Sequence, residues 1–187
     1  EQLEEDRRIP AYHEAGHAFA STAFAGIADP IHKATIIPRG RALGMVQHLP
    51  IDDKVSMSLA EVRANLVIDL AGRAAEEIFF GADKITTGAE SDIAAATALA
   101  RRSITMSGLS NKIGMVSVNQ AQTFGARVPL EAASEKTAEM VDAEIRAWTD
   151  AAYKDAVKIL TKNKATVEKL ANEFVENQDK IENTTKT

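Results

Sequence analysis

The sequence predicts a mainly α-helical fold with one small β-hairpin, and three observations support this fold class. Apolar residues recur at helical spacing in several long segments, which are bounded by residues that favour helix ends. Two short segments rich in β-branched and apolar residues flank a turn sequence. No internal repeat or low-complexity block interrupts the chain, so residues 1 to 187 are expected to form a single domain.

The first helix is expected from Ala11 to Ala25. Pro10 suits its first turn, because proline lacks the N–H that this position leaves unpaired, and Gly26 suits its C-terminal end. Residues 1 to 8 are acidic and charged, and we expect them to be a linker from an upstream domain.

The hairpin is expected next in the chain. Its strands are predicted at Ile31 to Ile37 and Leu43 to Leu49, and Pro38-Arg39-Gly40 supplies the turn.

Four further helices are expected, with Ser58 as the N-cap of the first. Their predicted ranges are Leu59 to Phe80, Asp92 to Met106, Ser134 to Leu160 and Ala165 to Glu176, with Gly81 and Gly108 ending the first two. The last two are expected to form an antiparallel pair. Residues 177 to 187 are predicted to be a frayed polar tail.

Composition excludes several classes of function. A net charge of -5 and the absence of a Lys/Arg cluster argue against a nucleic-acid partner. Without cysteine, the chain has no disulfide and no thiolate ligand, so a metal must be held by His, Asp or Glu. No apolar run approaches the roughly 18 to 20 residues needed to cross a bilayer, so this segment is expected to be soluble.

The first helix carries the pattern His-Glu-x-x-His at His13, Glu14 and His17. Residues four apart on an α-helix differ by only about 40° around its axis, so both imidazoles can reach one metal ion. The offset carboxylate of Glu14 suits a general base acting on a metal-activated water. The motif therefore indicates a zinc metallopeptidase, with Zn²⁺ as its cofactor.

A catalytic zinc needs a third protein ligand, which residue spacing alone does not identify. Ala23 stands where the three-histidine subclass would place its third histidine, so that subclass is excluded. The remaining candidates are His32, His48, Glu76, Glu77 and Asp92. Each also has a structural interpretation. His32 and His48 could be ordinary surface residues of the hairpin, Asp92, like Glu90, suits a helix N-terminus, and Glu76 and Glu77 could pair with Arg73.

Further motifs accompany His13 to His17 along the chain. The segments are Ala11-Tyr12-His13-Glu14-Ala15-Gly16-His17-Ala18, Thr35-Ile36-Ile37-Pro38-Arg39-Gly40, Ala42-Leu43-Gly44, Gly72-Arg73-Ala74-Ala75-Glu76-Glu77, and Thr87-Gly88-Ala89 followed by Ser91-Asp92-Ile93. Together these segments resemble the peptidase domain of the FtsH-type membrane-anchored AAA proteases. The resemblance runs from about Arg8 to Gly114 and weakens from about Gln120.

The resemblance implies a zincin-type helical peptidase domain in which His13, His17 and Asp92 bind zinc and Glu14 is the catalytic base. It also implies an edge strand at Leu43 to Leu49 that binds extended polypeptide substrates. Family members form homo-hexamers and carry an AAA ATPase domain and a membrane anchor. The resemblance thus implies a membrane-anchored chain whose peptidase domain lies on the cytoplasmic side, or in the matrix or stroma of an organelle. The chain has no Gly-Lys pair, so ATP is expected to bind only the linked ATPase domain.

The leading hypothesis is the zinc endopeptidase domain of an ATP-dependent protease that degrades unfolded membrane and soluble proteins. One alternative is a catalytically silent scaffold or oligomerisation domain of the same fold, which the intact Glu14 disfavours. Another is a stand-alone metallopeptidase that needs no ATPase.

Overall fold

The computed structural model describes residues 2–28, 31–35, 45–48, 56–118 and 133–185, with side chains for 8–28, 56–118 and 133–177. These ranges are predominantly helical, which confirms the mainly α class. In chain order the elements are α1 (Gln2–Ala23), β1 (Ile31–Thr35), β2 (Met45–His48), α2 (Leu59–Phe80), α3 (Glu90–Thr105), α4 (Glu135–Lys162) and α5 (Lys164–Thr185). Short 3-10 turns at Ala82–Lys84 and Thr87–Ala89 connect α2 to α3.

Helix α2 lies at the centre of the fold and packs against α1, α3 and α4, while α5 packs mainly on α1. Its apolar side chains recur at helical spacing, and Leu66 and Ile68 are almost completely buried. Ile104 of α3 and Leu160 of α4 belong to the same core. Burial of each such side chain contributes about 1.5–3 kcal/mol, so this shared core outweighs any single hydrogen bond at a helix end.

Small residues bring α1 and α2 unusually close together. An ideal Cβ placed on Gly16 of α1 would lie 2.5 Å from the carbonyl oxygen of Ala71 and 2.8 Å from the Cβ of Ala75. Ala15, Ala71 and Ala75 are fully buried in this interface. The two helix backbones therefore pack together with no room for an additional methyl group.

The predicted start of α2 is confirmed. Ser58 is its N-cap: the Ser58 hydroxyl accepts from the amide of Glu61, and the Glu61 carboxylate accepts from the amide of Ser58. This capping box pairs two amides that the first turn of a helix otherwise leaves unpaired. The bounds Leu59–Phe80 match the sequence prediction, and Gly81 follows the helix with φ 86°.

Helix α1 begins earlier than predicted. It starts at Gln2, so Pro10 lies inside the helix and residues 2 to 8, expected to be a linker, form its first turns. Proline in a helix interior removes one backbone hydrogen bond, but Gln, Leu, Glu and Arg before it are strong helix formers. Favourable propensity on the N-terminal side of Pro10 accounts for the error. The helix also ends earlier than predicted, at Ala23.

The two short strands pair antiparallel, with Thr35 opposite Met45 and Ile31 opposite His48. An irregularity in register lies between Ile31 and Lys33. The predicted turn, Pro38-Arg39-Gly40, lies outside the described residues, so the closed hairpin remains a prediction.

Helix α3 starts at Glu90 rather than Asp92 and ends at Thr105, close to the predicted end. Helix α4 begins where predicted, because the Ser134 hydroxyl caps it by accepting from the amide of Thr137.

The two C-terminal helices do not form the predicted antiparallel pair in the described part of the chain. Only Asn163 separates α4 from α5, and α5 packs mainly against α1. A one-residue link is too short to fold one helix back along the other. The helical backbone continues to Thr185, where a frayed tail was predicted, because residues 164–187 contain no Gly or Pro to end it.

Among the residues that the structure describes, no helix combines the length and the apolar character needed to span a membrane.

Gly16→Ala tests the close approach of α1 and α2. Helix propensity alone would raise the free energy of unfolding by about 1 kcal/mol. The clash with the Ala71 carbonyl should instead lower it by about 1–3 kcal/mol. Urea unfolding followed by circular dichroism gives the sign, and a variant more stable than the parent would show that the interface is looser than described.

Candidate metal centre

His13 and His17 lie one turn apart on the buried face of α1, against α2. Their relative exposures are 8% and 7%, so both imidazoles are largely removed from water. The His17 ring contacts the backbone carbonyl of Ile68, which lies about two turns before Glu76, the α2 residue that contacts His13. The two helices therefore run antiparallel past each other, and the helical spacing directs both rings into the same space.

Asp92 reaches this space from the first turn of α3. Its Oδ2 lies 3.1 Å from the Nε2 of His13 and 3.4 Å from the Nε2 of His17. The two Nε2 atoms are 3.0 Å apart. Three potential ligand atoms from two separate helices thus form a nearly equilateral triangle.

The size of this triangle fits a tetrahedral zinc ion. Zinc–nitrogen and zinc–oxygen distances of roughly 2.0–2.1 Å, with tetrahedral angles, place neighbouring ligand atoms about 3.3 Å apart. The separations of 3.0, 3.1 and 3.4 Å lie close to that value. Three protein ligands would leave the fourth tetrahedral position for water or substrate, as a catalytic site requires.

The orientation of each histidine ring is set by a hydrogen bond on its far side. The Nδ1 of His13 donates to Glu76 Oε1 at 2.7 Å, and the Nδ1 of His17 donates to the carbonyl oxygen of Ile68 at 2.7 Å. With Nδ1 protonated, a neutral imidazole directs the lone pair of its Nε2 into the triangle. Two nitrogen lone pairs and a carboxylate oxygen repel one another unless a proton or a metal cation lies between them.

The contacts among these side chains also shift the pKa of His13 and the pKa of Asp92. Burial alone would lower the pKa of His13, but hydrogen bonds to Asp92 and Glu76 outweigh burial and raise it to about 9. Burial would likewise raise the pKa of Asp92, but hydrogen bonds to His13 and His17 hold it below its ordinary value. The centre therefore stabilises positive charge among these three side chains, which favours the binding of a cation.

Glu14 is buried beside the two histidines, with 5% relative exposure. Its Oε2 has no hydrogen-bond partner among the described residues. Burial raises the pKa of Glu14, and the neighbouring His17 and His13 partly oppose this rise. An unpartnered carboxylate oxygen with a raised pKa has the availability and basicity that a general base needs.

Glu76 and Glu77, two of the candidate third ligands, have other partners. Glu76 is 1% exposed and contacts His13 at Nδ1, on the side of the ring away from the triangle. Glu77 accepts a hydrogen bond from the hydroxyl of Tyr153 on α4. The side chains of His32 and His48, the two histidine candidates, lie outside the described residues.

Gly72 is part of the centre, although sequence reasoning assigned it no role. An ideal Cβ on this residue would lie 2.5 Å from the Nε2 of both His13 and His17. The space that the two rings occupy therefore exists only because α2 has no side chain at this point.

Asp69 also lies on this face of α2, and sequence reasoning did not identify it. Burial raises its pKa to about 7; nearby His17 lowers it and nearby Asp92 raises it further. Asp69, Gly72 and Glu76 are spaced three and four residues apart, which places them on one helical stripe. Searching α2 for a stripe of small and acidic residues could have found all three.

Gly72→Ala should prevent the two imidazoles from facing one ion. Its added methyl group overlaps both Nε2 atoms, so at least one ring must rotate away and zinc affinity should fall by about tenfold or more. Competition with a chromophoric chelator measures this affinity. Arg63→Ala is the control, because it changes an exposed position of the same helix and should leave the packing of α1 on α2 and the zinc affinity unchanged. Equal zinc affinity in both variants would contradict the role of Gly72.

Comparison with known proteins places the chain in a family. The sequence profile of peptidase family M41 matches residues 2–184. The chain is 44% identical to the ATP-dependent zinc metalloprotease FtsH of Rickettsia felis over 174 residues, which are 92% of this chain and 27% of the relative. The protein of the same name from Rubrobacter xylanophilus is 44% identical over 178 residues, covering 92% of this chain and 27% of the relative. That from Caulobacter vibrioides is 46% identical over 162 residues, covering 84% and 26%.

The chain thus spans 27% of the length of the Rickettsia felis relative. The family match extends through α4 and α5, which corrects the expectation that the resemblance weakens from about Gln120. In these helices the pattern consists of spaced apolar positions such as Val141, Ile145 and Leu160, and it lacks the contiguous motifs that are easily recognised by inspection. The match to residues 2–184 and the identities of these relatives confirm the predicted resemblance: the chain belongs to peptidase family M41.

Proposed function

We propose that this chain is a zinc endopeptidase domain in which His13, His17 and Asp92 hold the metal and Glu14 is the general base. The observation that carries the proposal is the triangle of two Nε2 atoms and one Oδ2, whose size and lone-pair directions fit one tetrahedral zinc ion. The names of the relatives, which are zinc metalloproteases, support the same metal.

Zinc held by these ligands would supply Lewis acidity to a peptide carbonyl and lower the pKa of a water molecule. The protein side chains perform the remaining tasks. Glu76 and the Ile68 carbonyl hold the two imidazoles in the orientation and tautomer that ligation requires. Glu14 accepts the proton of the attacking water at its unpartnered Oε2 and delivers it to the leaving amine nitrogen, so that the peptide C–N bond breaks.

We further propose that the domain is part of a longer, membrane-anchored, ATP-dependent protease that assembles as a homo-hexamer and degrades unfolded membrane and soluble proteins. The relatives are named ATP-dependent, and this chain spans only about a quarter of the length of the three relatives described above. The chain contains no Gly-Lys pair and hence no P-loop sequence, so ATP would be bound by a covalently linked AAA ATPase domain. The peptidase domain would lie on the cytoplasmic side of the membrane, or in the matrix or stroma of an organelle.

The buried, unpartnered oxygen of Glu14 disfavours a catalytically silent scaffold of the same fold. Burying the Oε2 of Glu14 without a hydrogen-bond partner costs stability, and a scaffold would gain nothing in return.

Glu14→Gln should retain zinc and lose peptidase activity, because it removes the base without removing a proposed ligand. We expect casein cleavage to fall by about 10²–10⁴-fold, measured in the full-length chain with ATP, while the zinc content by elemental analysis stays at the parent level. Glu139→Gln, which alters an exposed carboxylate on α4, is the control. Normal cleavage by the Glu14 variant would refute its role as base, and loss of zinc would make it a ligand.

Asp92→Ala should weaken zinc retention more than either Glu76→Ala or Glu77→Ala. Removal of Asp92 deletes one corner of the triangle. Removal of Glu76 frees the far side of the His13 ring and the amide of Thr86 but deletes none of the three proposed ligands, and Glu77 contacts neither histidine in the described contacts. Zinc content after dialysis against a chelator gives the ranking. If Glu76→Ala loses the most zinc, the third ligand lies on α2.

A further inference from the structure

Two side chains of α2 bind the backbone amide and the backbone carbonyl of Thr86. The amide of Thr86 donates to Glu76 Oε2 at 2.7 Å, and its carbonyl oxygen accepts from Arg73 Nη2 at 2.8 Å. Arg73 and Glu76 are three residues apart, so they project from the same face of the helix. Both backbone hydrogen-bonding groups of Thr86 are therefore tied to α2.

Thr86 stands at the start of the short connection that delivers Asp92 to the centre. Thr86 is the N-cap of the 3-10 turn Thr87–Ala89, because its hydroxyl accepts from the amide of Gly88, and α3 follows directly at Glu90. Ala89 is fully buried in this connection. Because these turns follow one another without an irregular loop, the position of Thr86 determines where the first turn of α3 begins.

The same two α2 side chains differ in what else they contact. Glu76 also accepts from His13 Nδ1, so it couples the loop to a proposed ligand on α1. Arg73 has no described contact with either histidine. Its Nε is buried without a partner in the described part of the chain, so the guanidinium lies in the interface even though this leaves one of its donors unpaired.

We infer that Arg73 is a positioning residue for Asp92. By holding the carbonyl of Thr86 against α2, it sets the start of α3 so that Oδ2 of Asp92 completes the triangle with His13 and His17. The inference rests on the proposed function, because it takes Asp92 to be a metal ligand. It differs from a purely structural role, in which Arg73 would stabilise the fold and leave the metal affinity of a folded variant unchanged.

The first test compares zinc affinities by chelator competition. Arg73→Met keeps the length of the side chain and removes the charge and the donors, so we expect zinc binding to weaken by about 10–100-fold. Arg73→Lys retains a cationic donor without the planar fork and should restore part of the loss. Arg63→Met, at an exposed position of the same helix, is the matched control and should bind zinc as the parent does.

The second test repeats Arg73→Met in an Asp92→Ala background. If Arg73 acts through Asp92, its removal should change zinc affinity by less than about twofold once Asp92 is gone, so the two effects should not add. Equal losses in both backgrounds would overturn the inference and leave Arg73 as a general stabiliser of the fold. Parent affinity in the Arg73→Met single variant would overturn it as well.

Two controls separate this inference from the proposed function. If Asp92→Ala binds zinc as tightly as the parent, the proposed ligand set is wrong. If Asp92→Ala loses zinc but both Arg73 variants bind it normally, only the positioning role fails. Urea unfolding of the metal-free variants reports any global loss of stability, and should Arg73→Met fail to fold, Arg73→Lys carries the same two-background comparison with the same two outcomes.

Discussion

The close approach of α1 and α2 is the constraint on which the rest of this structure depends. Gly16 on α1 and Gly72 on α2 leave no room for a Cβ, and the fully buried alanines beside them keep the interface thin. At a wider spacing, the carbonyl of Ile68 could not accept from His17 and the carboxylate of Glu76 could not accept from His13. One packing distance between two helices thus sets the orientation of both imidazoles.

Features that depend on local sequence were predictable. The His-Glu-x-x-His spacing puts both imidazoles on one helical face whatever the tertiary structure, and Ser58 followed by Glu61 specifies a capped helix start by itself. Features that depend on opposing conformational preferences of neighbouring residues were not predictable. Pro10 suggested a helix start, but the preceding residues favour helix strongly enough to continue through it.

The choice of the third ligand shows why spacing alone was insufficient. Glu76, Glu77 and Asp92 offer the same functional group, and nothing in their separation from His13 along the chain tells which carboxylate faces Nε2 and which faces Nδ1. That distinction depends on which side of the imidazole each helix passes, since Glu76 approaches from α2 and Asp92 from α3. The family resemblance implied Asp92, whereas the positioning role inferred for Arg73 rests on a three-dimensional contact that no sequence pattern indicated.

The position of Pro10 has a mechanical consequence. Helix α1 is continuous from Gln2 to Ala23, so it connects its own first turns to the histidines without a break in the helix. Pro10 has no N–H, so one backbone hydrogen bond of the helix is missing, and bending costs least free energy at Pro10, about one turn before His13. A sideways force on the first turns of α1 would therefore be taken up as a hinge motion at Pro10. The part of α1 that carries His13 and His17 is packed against α2 and would keep its position.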